Sequence, residues 1–141
     1  MTPFEIDLHL ERSIGTAGAL SASDLLADAL RDINGPSPHI LHPNKALRFQ
    51  DRALNRLAPV FAVARCLSIA RHNADTPTNE ATAELAAFVQ AVKGILEQLT
   101  CHLVTGDGHQ QVGLIGTAAE LIRVELHYRF AEPAHAVAYA R

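Results

Sequence analysis

The sequence predicts an all-α fold, an antiparallel helical bundle of three to four main helices with a short N-terminal β-strand or extended arm. Three observations lead there. Apolar residues recur at spacings of three and four along most of the chain. Caps and helix breakers cut those runs into helix-length pieces joined by short connections. The first residues, "FEIDLHLE", alternate instead, with Phe4, Ile6, Leu8 and Leu10 on one side and Glu5, Asp7, His9 and Glu11 on the other.

A chain of 141 residues fits a single helical-bundle domain, 1–141, with 1–11 as the strand or arm and 134–141 as a C-terminal tail. Charged residues make up 19%, hydrophobic residues 48%, and the formal net charge is −3, which excludes a disordered chain and gives no general attraction for nucleic acid. No run approaches ~18 uninterrupted apolar residues. "MTPFEIDLHLER" carries acids where a signal peptide needs a basic start and an apolar centre, so a cytoplasmic location without membrane contact is expected.

The first helix is "SASDLLADALRDING". It opens with Ser21 and Asp24 in capping-box-like spacing, closes at Asn34-Gly35-Pro36, and buries Leu26, Ala29, Leu30 and Ile33. In "KALRFQDRALNRLAPVFAVARCLSIARHN", Leu47, Leu54, Leu57, Ala58 and Phe61 share a face, while Lys45, Arg48, Arg52 and Arg56 line another. Pro59 lacks the amide an interior turn needs and predicts a kink or two consecutive helices. Beyond it Val60, Val63, Leu67 and Ile69 surround the axis, which predicts deep burial. Thr76 as cap and Pro77 at the first helical position start a third helix through about Val104. Its seam is Leu85, Phe88, Val92, Ile95 and Leu99, flanked by Val89, Leu96 and Leu103. After "TGDGH" a fourth helix runs from about Gln110 to Phe130, before Pro133. The strand formed by Phe4, Ile6, Leu8 and Leu10 has two candidate partners, "HAVAYAR" at the C-terminus or its own copy in a second subunit.

Up-and-down topology turns helix length into a ruler. Cys66 and Cys101 fall about 25 Å apart, beyond disulfide reach, and are expected as reduced core thiols. The same ruler gathers His39, His42, His102 and His109, with Cys101 and Asp107, at one end of the bundle, where "HILH" offers two imidazoles to a divalent ion. The chain has no HExxH, no paired CxxC and no repeated ExxH, so neither a metal nor a cofactor is expected and His102 reads as a hydrogen-bonded core residue.

On a wheel of the fourth helix, Leu114, Ile115, Ala118, Ala119, Leu121, Ile122, Leu126 and Tyr128 span an apolar arc of roughly 200°. Glu125 and Arg129 project inside that arc, four residues apart, with the acid on the amino-terminal side as a helical ion pair prefers. Arg65 continues a stripe of the second helix at a height within about 6 Å of Glu125, which makes it a candidate third member. Arg65, Glu125 and Arg129 therefore form a core layer, an interface with a second subunit or partner, or a pocket for a small carboxylate or phosphate.

No catalytic residue stands out. GxSxG, a phosphate-binding glycine loop and a Cys–His pair at workable spacing are all missing. The Lys45, Arg48, Arg52 and Arg56 stripe lacks interleaved aromatics and reads as a solvated face. The expected function is a non-catalytic, homodimeric protein-interaction or regulatory, adaptor-like module, with binding of a small anion or a divalent metal as the alternative.

Overall fold

The densest apolar seam in the chain forms its longest helix. The computed structural model describes residues 5–6, 8, 22–35, 41–72, 79–106 and 111–130. Within them run helices α1 (Ala22–Asn34), α2 (Pro43–Arg56), α3 (Ala58–His72), α4 (Asn79–Thr105) and α5 (Gln111–Phe130). With 27 residues, α4 extends about 40 Å and is the hub of the bundle, since α2, α3 and α5 all pack on it. Its buried line is Phe88, Val92, Leu96, Leu99 and Leu103, while Leu85 and Ile95 of the expected seam are half-buried. Thr76 and Pro77 lie outside the described residues.

Helix α1 fills the remaining side, packing on α2 and α5 with Leu25, Leu26, Ala29 and Leu30. It ends where Asn34-Gly35 predicts. Gly35 has φ +65° and donates its N–H to the Arg31 carbonyl at 2.8 Å, a left-handed cap that a Cβ would strain. Helices α2 and α5 each pack on both α1 and α4 and have no substantial contact with one another, so they are diagonal partners with outer faces pointing apart.

The Pro59 expectation resolves as two helices, so the described residues hold five bounded helices where three to four main ones were expected. The break falls at Leu57, where the axis bends by 47°. Pro59 has no N–H for the Asn55 carbonyl, and the Leu57 amide serves Asn55 as well as Ala53. Two burial expectations need correction. Leu47 is 65% exposed, and the core side of α2 is Ala46, Phe49, Ala53 and Leu57, about a 100° turn away. That rotation puts the Phe49 ring inside and leaves Lys45, Arg48 and Arg52 in water. Helix α3 is one-sided, with Val60, Val63, Ala64 and Leu67 buried but Arg65, Cys66 and Ile69 exposed.

The N-terminal strand is also corrected. Glu5, Ile6 and Leu8 are helical, Ile6 is fully buried, and no strand occurs among the described residues. Strict alternation of Phe4, Ile6, Leu8 and Leu10 contains the spacings Phe4/Leu8 and Ile6/Leu10, which also share helical faces. Phe4, Leu10 and the tail 134–141 lie outside the described residues.

One aromatic series ties the last three helices together. Phe88 of α4 meets Phe61 of α3 at 6.0 Å and Phe130 of α5 at 5.7 Å, both edge-to-face. Each such contact adds about 0.5–1.5 kcal/mol beyond the area buried. Among the described residues no single helix is long and apolar enough to cross a membrane.

Candidate functional site

Among the described residues the interior holds no unpaired side-chain polar atom, and the buried Thr100 hydroxyl donates to Leu96 of its own helix at 2.7 Å. Among the described helices, α5 carries the most exposed large apolar side chains, Val112, Leu121, Val124 and Tyr128.

Helix α5 is apolar on two nearly opposite sides. Ile115, Ala118, Ala119, Ile122, Leu126 and Phe130 face the bundle. Leu121, Val124 and Tyr128, spaced by three and four, form a second line that is 43%, 52% and 80% exposed. Toward the N-terminus the outer line continues in small residues, the exposed Thr117 and Gly113. A Cβ on Gly113 would meet open space among the described residues, none of which requires glycine there. A helical glycine costs about 1 kcal/mol relative to alanine.

The broad apolar arc thus resolves into two lines, and Glu125 and Arg129 sit on the boundary between them. Arg129 donates from Nε to Glu125 Oε2 at 3.0 Å, with the side chains 27% and 33% exposed. Glu120 and Arg123, 3.3 Å apart, flank the outer line from the opposite side. The outer apolar strip is thus bordered by an ion pair on each side.

Arg65 does not join them. Both α3 and α5 run antiparallel to α4, and Phe88 places Phe61 and Phe130 at one level. Arg65 lies one turn beyond Phe61 and Glu125 five residues short of Phe130, which separates them by about 13 Å along the axis. Arg65 is exposed and has no hydrogen bond or ion pair among the described residues.

Of the expected histidine end, only Cys101, His42 and His102 lie among the described residues. The Leu41 amide donates to the Leu103 carbonyl at 2.9 Å, which docks the connection before α2 against the end of α4. His42 then caps α2, accepting the Asn44 N–H on Nδ1 at 3.2 Å ahead of Pro43. His102 is exposed, contrary to the core role expected, because α4 turns Leu99 and Leu103 inward and His102 outward. No group of three or more metal-ligating side chains converges among the described residues, and His39, Asp107 and His109 lie outside them. Cys66 and Cys101 are free thiols, yet both are exposed instead of core.

The basic stripe is divided. Arg56 reaches α1, with Nη1 3.0 Å from Asp28 and Nη2 hydrogen-bonded to Asp32. That hydrogen bond, then the charges of Asp28 and Asp32, raises the Arg56 pKa. Lys45, Arg48 and Arg52 remain on the exposed face.

The composition of the wheel missed Val124, although its spacing from Leu121 and Tyr128 is a second helical period inside one arc. It also missed Asp28 and Asp32, whose i, i+4 spacing on α1 carries no sign of the Arg56 they meet. No family model, curated protein or solved structure matches the chain.

Proposed function

We propose that the protein is a small, cytoplasmic, non-catalytic interaction module of the regulatory or adaptor kind, and that it works as a homodimer through the outer face of α5. The Leu121–Val124–Tyr128 line carries this reading. Three large apolar side chains at helical spacing, with ion pairs at their borders, lose area from water only when another surface covers them. Among the described helices α5 packs on α1, α3 and α4, and Leu121, Val124 and Tyr128 stay exposed beside them. Pairing through an N-terminal strand is withdrawn, since Glu5, Ile6 and Leu8 are helical. An anion pocket built on Arg65, Glu125 and Arg129 has less support, because Arg65 stands apart from the other two.

Sedimentation velocity tests the proposal. The expected result is a species of twice the chain mass at tens of micromolar, and a single-chain species for Val124→Glu with unchanged helical circular dichroism. A wild-type chain that stays single at about 100 µM would remove the basis for it.

A further inference from the structure

Resting on the homodimeric reading above, we infer that the partner is a second copy whose α5 runs antiparallel to the first, with Leu121 against the partner's Val124 and Tyr128 over the partner's Thr117 and Gly113. Two features of the outer face choose this arrangement over a parallel one.

The first is size. Bulk on the outer line is distributed unevenly, with the largest and most exposed side chain, Tyr128 at 80%, toward the C-terminal end and the small Gly113 and Thr117 at the other. A parallel pair stacks Tyr128 on its own copy and leaves glycine facing glycine, with a void between the backbones. The antiparallel pair sets the ring over the small residues at both ends, so shape is matched by one two-fold axis between Leu121 and Val124. The Thr117 hydroxyl is turned back to the Gly113 carbonyl at 3.0 Å, which leaves the methyl of Thr117 to receive the ring.

The second is charge. On paired helices the residues bordering the apolar line meet across the interface. Running the helices parallel brings Glu120 against the partner's Glu125, two carboxylates at each border. Running them antiparallel brings Glu120 against the partner's His127 and Glu125 against the partner's Ala118. Like charges are thereby removed from contact. Glu120 keeps Arg123 beside it at 3.3 Å, on the side away from the apolar line.

Spin-label distances distinguish the orientations. Cys66 and Cys101, both exposed, are first changed to serine. A single label is then placed at Val112→Cys, where the native side chain is 83% exposed, or at Arg123→Cys near the two-fold axis. Pulsed dipolar spectroscopy on the intact chain is expected to give about 33 Å between the two labelled backbones at 112 and about 10 Å at 123. Short distances at both positions mean parallel helices, which overturns the antiparallel arrangement and leaves the α5 homodimer standing. Absence of any intermolecular coupling from either label, in a sample that sediments as one chain, overturns the homodimer itself.

Discussion

Arg129 and Glu125 are joined at 3.0 Å along the border where the core-facing and outward-facing apolar lines of α5 meet. The pair lies neither in the core nor on an open face, and each side chain keeps about a third of its surface in water. Screening by that water limits what the pair contributes to folding, to about 0.3–0.5 kcal/mol for a helical pair of this spacing. Glu125→Gln is therefore expected to leave urea unfolding of the single chain nearly unchanged, which denaturation at low protein concentration measures. A loss of several kcal/mol would instead assign the pair to a buried layer.

The aromatic series is the opposite case. Phe88 is fully buried and holds Phe61 and Phe130 at once, so Phe88→Ala removes the joint between α3, α4 and α5. A cost of about 3–5 kcal/mol is expected, read as a fall in the urea midpoint. Phe88→Leu, which keeps most of the volume, is expected to recover much of it.

Arg56 joins α1 to α2 through Asp28 and Asp32, and the salt dependence of Arg56→Met tests whether that bridge acts by charge. The variant is expected to melt below wild type at low ionic strength, with the gap closing in about 1 M salt. The folded guanidinium has a raised pKa, so its contribution is present throughout the range below the ordinary arginine value and is lost only as pH rises through the folded one. Between about pH 6 and 9 the Arg56 proton should therefore make no difference to the gap. A gap that ignores salt would assign the loss to the packing of the arginine stem.

His42 caps α2 with an imidazole, a less usual acceptor than a hydroxyl or carboxylate. His42→Ala is expected to lower stability by about 0.5–1 kcal/mol and His42→Ser to restore it. Thermal melts of the two variants decide whether the Nδ1 bond to Asn44 supports the helix, since equal melting points would deny it a role.

Much of the bundle was legible because its helices are marked by residues that act locally. Gly35 ends α1 through its own φ, and Pro59 breaks the second run through its own missing amide. Phe88, Val92 and Leu99 fall in the core because one spacing pattern dominates α4. The failures share a different origin. Leu47 and Phe49 compete for the inside of α2, and the winner depends on the surface presented by α1 and α4, which the α2 sequence alone does not contain. The spacings Phe4/Leu8 and Ile6/Leu10 satisfy strand and helix periods together, so alternation over eight residues does not discriminate between them. The height of Arg65 relative to Glu125 depends on how α3 and α5 are set against α4, which the Phe61–Phe88–Phe130 contacts fix and neither helix's own sequence contains. At the site, the spacing of Glu125 and Arg129 revealed the pair itself. The width of the apolar arc showed that α5 had more hydrophobic surface than one bundle face uses, without showing that the surplus forms a separate outward line.

The most direct test of that outward line uses Tyr128 as its own probe. The chain has two tyrosines and no tryptophan, so Tyr139→Phe leaves Tyr128 as the only strong ultraviolet fluorophore. In a single chain the ring is 80% exposed and should be quenched by acrylamide nearly as well as free tyrosine. Burial against a second α5 predicts that the quenching constant falls several-fold as protein concentration is raised into the range where the dimer sediments. A quenching constant that stays at the free-tyrosine level across that range would contradict the account, because the face proposed to be covered would still be open to water.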